Sequence, residues 1–265
     1  CMAILNPGTM APLVTTVSAF VLAFILIRLS RLEKYKNVIM NIRRLPALDA
    51  IEEAIGRATE MNRPVIFPFG VGALTTPQAV AGVAVASYVA ELCAKLGTKY
   101  IVTTGGTGGT QLQPVLEATI REAYTAAGKP ELYTMDTVRF LSPGQMEMAA
   151  AVSGIMVRER PAANIMVGAY YAETAVFTCT AAQIGAIQIG GTARATQMPF
   201  FAGICDYMFI GEEIYAAAAY ITKDPKELST LAISDILKFV VLFLIIMGLI
   251  ERLFGGSTIF SALSL

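Results

Sequence analysis

VIFPFGVGALTTPQAVAGVAVASYVAELCAKLGTKYIVTTGGTGGT, residues 65 to 110, decides the fold. Val65–Phe69 is a short apolar run without helical spacing, which reads as a buried strand. Gln78–Leu96 is a long Ala-rich helix closed by Gly97. Tyr100–Thr104 is a second buried strand, and it runs into a glycine-rich turn. Consecutive strands of this kind, joined by a helix, pair in parallel, because a parallel pair needs a crossover connection.

The alternation continues on both sides. Leu48–Glu60 carries apolar residues at helical spacing with acids in its first turn, and it ends before Pro64. Gln111–Ala127 is a helix closed by Gly128 and Pro130, Val138–Leu141 is a strand, and Gly144 to about Val157 is a helix. Beyond Arg160 the predicted order is strand Asn164–Tyr171, helix Thr174–Gln183, strand Ala186–Ile189, a turn at Gly190-Gly191-Thr192, a helix opening at Gln197–Phe201, strand Tyr207–Ile210 and helix Glu212–Ile221. The expected fold class is α/β: a Rossmann-like, mostly parallel sheet with helices on both faces.

Two apolar stretches flank this domain. Residues 1–27 have no Asp, Glu, Lys or Arg, and Phe239–Ile250 is wholly apolar. The first can form a helix that nearly crosses a hydrocarbon layer of about 30 Å. Arg28, Arg31, Lys34, Lys36, Arg43 and Arg44, against Glu33 alone, follow it and place the middle of the chain on the cytoplasmic side. The second stretch is shorter and relies on Lys238 reaching back to the interface. The expected organisation is an N-terminal transmembrane helix at 1–30, a basic juxtamembrane segment at 31–47, a cytoplasmic Rossmann-like domain at 48–230 and a C-terminal transmembrane helix and tail at 234–265. Both termini then lie outside a prokaryotic inner membrane.

Composition narrows the function classes. Charged residues make up 15% of the chain, where about 25% is usual. From Pro64 to Ala90 there is no charge, and from Pro161 to Cys205 only Glu173 and Arg194. Such a surface calls for cover, either by lipid or by further copies of the chain. The chain has no histidine, which removes Ser-His and Cys-His catalysis and the usual zinc and haem sites. Its four cysteines lack CxxC spacing, no metal or cofactor is implied, and no basic domain face points to nucleic acid.

The phrases LPALDAIEEAIGRATEMNRPVIF, AAAVSGIMVRERPAANIMVGAYYAE, GAIQIGGTA, PFFAGICDY and IGEEIYAAAAYI resemble a prokaryotic membrane-anchored domain-of-unknown-function family. The resemblance covers roughly Leu45 to the C-terminus and implies the same order of blocks between two hydrophobic helices. It implies no activity. The segment FGVGALTTPQ departs from the family's pattern after the first strand.

Two constellations could carry chemistry. Gly105, Gly106, Gly108 and Thr110 lie between a strand and a helix, where a nucleotide-binding fold holds phosphate, although the match to GxGxxG is loose and no P-loop lysine follows. Glu173, Asp206, Glu212 and Glu213 stand in apolar sequence; Glu212 and Glu213 suit a helix start, and Glu173 with Arg194 suits an ion pair within or between subunits. The leading expectation is a non-enzymatic scaffold that assembles into a homo-oligomer at the inner leaflet. The alternatives are a nucleotide- or phosphate-binding enzyme or sensor using the glycine-rich turns, and an accessory subunit with unlike membrane partners.

Overall fold

The computed structural model describes residues 45–222, together with Lys238, Val241, Leu242 and Ile246, which are helical. Both expected membrane segments, and the juxtamembrane segment up to residue 44, fall outside the described residues apart from those four positions.

Residues Arg43–Thr222 form one compact unit. Its elements run α1 (Pro46–Glu60), β1 (Val65–Pro68), α2 (Pro77–Leu96), β2 (Tyr100–Thr104), α3 (Gly106–Ala126), a short 3-10 turn (Pro130–Leu132), β3 (Val138–Phe140), α4 (Gln145–Glu159), β4 (Ala163–Val167), α5 (Glu173–Gln183), β5 (Ile187–Thr192), α6 (Met198–Ile204), β6 (Tyr207–Ile210) and α7 (Glu213–Thr222). All five strand pairings are parallel, and the strand order is β3-β2-β1-β4-β5-β6. That is the order of the doubly wound dinucleotide-binding sheet.

Local chemistry accounts for the element ends. Proline occupies the first turn of α1 and of α2, where a missing N–H costs nothing. Helix α2 closes in a Schellman motif: Gly97 takes φ +76°, its N–H donates to the Ala94 carbonyl, and Thr98 N–H donates to Cys93 at 2.9 Å. Among the described helices α2 is the one long and apolar enough to cross a membrane; it is half buried, lying between α3 and α7.

Strand side chains alternate between two layers, as the two-residue period of a strand requires. Val65, Phe67, Val102, Ile165 and Ile189 join a core with α1, α2, α3 and α7. Ile66, Ile101 and Met166 join a second core with α4, α5 and α6. Fully burying side chains of the size of Phe67 or Phe201 stabilises the fold by about 1.5–3 kcal/mol each.

Three expected boundaries move by at least three residues. Helix α3 starts at Gly106, not Gln111, so the glycine-rich run is mostly helical. Strand β4 stops at Val167, leaving residues 168–172 as a loop. Strand β5 continues through Gly190, Gly191 and Thr192, where a turn was expected, because these glycines admit close neighbours. A Cβ on Gly190 would lie 2.0 Å from the Phe201 ring, and one on Gly191 2.9 Å from Phe209.

Candidate functional site

An open parallel sheet holds its ligand beyond the carboxyl ends of the strands, where the strand order reverses. Here that position lies between β1 and β4, and the chain fills it with its own atoms. A Cβ on Gly70 would stand 2.2 Å from the Ala169 carbonyl oxygen, and one on Gly72 2.3 Å from the Ala169 Cβ. Gly72 N–H donates to that same carbonyl at 3.3 Å. Tyr170, fully buried, donates its hydroxyl to the Pro68 carbonyl at 2.7 Å and stacks edge-on against Phe201. Burial, followed by the nearby charge of Glu173, pushes the Tyr170 phenol well above its ordinary range, so it stays a donor.

The glycine-rich run packs into the same crevice. Cβ atoms on Gly106 and Gly108 would lie 2.3 Å from Val71 and 2.4 Å from the Gly72 carbonyl oxygen. Gly105 faces Ser142, and the Gly106 N–H donates to the Ser142 carbonyl at 2.8 Å. Gly106 takes φ +68°, which a side chain would resist. Thr107 and Thr110 are exposed. The close approach of the β1 turn to the start of α3 therefore accounts for these glycines.

Glu173 is the centre of this packing. It has no exposed surface and opens α5. Its Oε1 accepts the backbone N–H of Val71 and of Tyr171, each at 3.1 Å, and its Oε2 accepts the Gln145 side-chain amide at 2.5 Å. One carboxylate thus ties the β1 turn, the β4 loop and the start of α4, with the α5 dipole favouring its charge. The expected ion pair between Glu173 and Arg194 is absent within the chain. Arg194 instead lies 3.8 Å above the Tyr171 ring centroid and donates to the Tyr171 hydroxyl at 2.7 Å.

The other carboxylates are structural neighbours of strand ends. Asp206 accepts the Gln188 N–H at 2.8 Å, and that residue's side-chain amide continues to the Thr178 carbonyl. Glu213 accepts the Ile210 N–H at 2.8 Å and so ties the end of β6 to the start of α7. The Glu212 carbonyl accepts Tyr215 N–H. Beside Asp206, burial and then the aspartate charge push the Cys205 thiol up to about 12.

The two edges of the sheet differ in charge. The six loops at the carboxyl ends of the strands contain only Arg194 and Glu212 as charged residues. The same edge exposes Val80, Met146, Tyr171, Phe200 and Ile210, each 36% to 58% accessible. At the amino ends lie Arg63, Lys99, Lys129, Glu131, Asp136 and Arg160, with Lys99 bonded to Glu159 at 2.8 Å. A groove of about 600 Å³ opens on that charged edge, between α1 and the starts of β5 and β6. It was not legible in the sequence, because its walls come from three separate segments.

A family model described as a domain of unknown function (DUF6754) matches residues 3–263. No curated protein and no solved structure matches the chain.

Proposed function

We propose that this chain, which belongs to the DUF6754 family of unknown function, is a non-enzymatic membrane scaffold that assembles with copies of itself. The reading is carried by one observation: the edge where a doubly wound sheet holds a ligand is closed by Gly70, Gly72, Gly106, Gly108 and Glu173, and is charge-poor with exposed apolar side chains outside. A surface of this kind gains by covering Val80, Met146, Tyr171, Phe200 and Ile210. Copies of the same chain offer equally charge-poor surfaces, so beyond Arg194 and Glu212 of these loops little charge has to be buried on either side. Membrane anchoring is supported by the two terminal apolar stretches and the basic flank, and the family match runs through both stretches. Copies fixed in one plane meet at a raised effective concentration, so modest contacts suffice.

Met146→Lys combined with Phe200→Lys tests the reading by sedimentation of the full chain in mild detergent. Both side chains are about half exposed, so the thermal midpoint should hold while the assembly dissociates. Losing burial of about 1.5–3 kcal/mol per side chain weakens association more than tenfold. An assembly of unchanged size in the double variant would contradict it.

A further inference from the structure

The groove between α1 and the starts of β5 and β6 has mixed walls. Ala50, Ala54, Ile187 and Tyr207 are apolar or aromatic, and Glu53, Arg57 and Asp206 are charged. Arg57 is held by Glu53 one turn earlier, and Asp206 by the Gln188 N–H. The face of α1 around it is acidic, with Asp49, Glu53 and Glu60 against Arg57, whereas Glu52 turns to the Tyr88 hydroxyl of α2. An anionic lipid surface is repelled by such a face.

Residues 28–44, RLSRLEKYKNVIMNIRR, have the complementary chemistry. Six basic side chains stand there against Glu33, interleaved with Leu29, Leu32, Tyr35, Val38, Ile39, Met40 and Ile42. Long basic side chains can lay their apolar stems along a half-apolar groove and leave their charges against carboxylates. The chain enters α1 at Leu45 with extended backbone, φ −98° and ψ 115°, while the groove opens at Ala50 and beyond. Its own basic segment would have to double back along the helix, whereas a neighbour's can approach freely. Resting on the self-assembly reading above, we infer that the groove receives residues 28–44 of a second copy of this chain. The contact is head-to-tail, so it builds a ring if the rotation closes and an open row if it does not.

The test uses the full chain in mild detergent, with association measured at about 50 mM and about 500 mM salt, which differ severalfold in screening length. The groove variant is Glu53→Lys with Glu60→Lys, both exposed, and the segment variant is Arg31→Glu with Lys34→Glu and Lys36→Glu. Each alone weakens association about tenfold or more at low salt, high salt weakens the wild type, and an equimolar mixture of the two variants recovers association. The segment variant leaves the described domain untouched, so its result stands even if the groove variant folds poorly. Unchanged association in either variant overturns the inference while leaving self-assembly in place. Recovery only when both sets of changes share one chain also overturns it, because the segment then binds its own copy. A wild type that stays monomeric removes both readings together.

Discussion

Removing the Glu173 carboxylate should separate the geometric from the electrostatic role of this buried group. Glu173→Ala leaves the Val71 and Tyr171 N–H groups and the Gln145 amide without their acceptor, the first in a fully buried position and the other two partly buried. Leaving buried donors unpaired costs about 1–3 kcal/mol each, and some relief comes from no longer burying a charge. The net loss is about 4 kcal/mol, or a fall of roughly 8–16 °C in the midpoint of a domain this size. Glu173→Gln should cost only about 1 kcal/mol. Both backbone donors converge on Oε1, so a glutamine carbonyl there keeps them, and Gln145 can rotate its amide to accept from the new NH₂. Urea unfolding of the two variants, followed by tyrosine fluorescence or circular dichroism, reads the difference. Equal destabilisation by Ala and Gln would refute the geometric account, and no effect from Ala would refute the keystone role altogether.

The glycines should behave according to what surrounds them. Gly108→Ala drives a Cβ onto the Gly72 backbone and should cost at least about 2 kcal/mol with no ligand present. Gly56→Ala, inside α1 with nothing within 4 Å, should instead stabilise by about 0.5–1 kcal/mol. Calorimetry compares the pair, and a neutral Gly108→Ala would count against close packing. Among the described cysteines, a thiol reagent at pH 8 should label exposed Cys179 rapidly and leave Cys93 and Cys205 unreacted, since burial raises both thiols. With folded values above unfolded ones for these thiols and for Tyr100 and Tyr170, their contribution is complete below about pH 9 and is lost as pH rises further. With no histidine to titrate, chemical denaturation should show a plateau from about pH 6 to pH 8 and an alkaline decline; a decline between pH 6 and pH 8 would oppose this.

The sheet was legible because its signals are local. Apolar runs of strand length, separated by Ala-rich helical stretches and closed by Gly97 and Gly128, specify parallel strands without any long-range knowledge, and Tyr100–Thr104 and Tyr207–Ile210 keep their expected bounds. Glycine was the ambiguous letter. In Gly105–Thr110 and Gly190–Gly191 it reads as turn or ligand loop, yet it serves the approach of Val71, Gly72 and Phe201 from distant parts of the chain. Glu173 stood out as one acid in a long uncharged stretch. Its partners did not, since Val71 and Tyr171 contribute backbone N–H groups that every residue carries. Charge spacing paired Arg194 with Glu173, whereas an adjacent aromatic ring took the guanidinium.

Native mass spectrometry of the full chain, released gently from detergent, addresses self-assembly around a closed crevice in a single spectrum. The account predicts multiples of the 28.2 kDa chain with no nucleotide or phosphate adduct. A single 28.2 kDa chain carrying a bound nucleotide would contradict it.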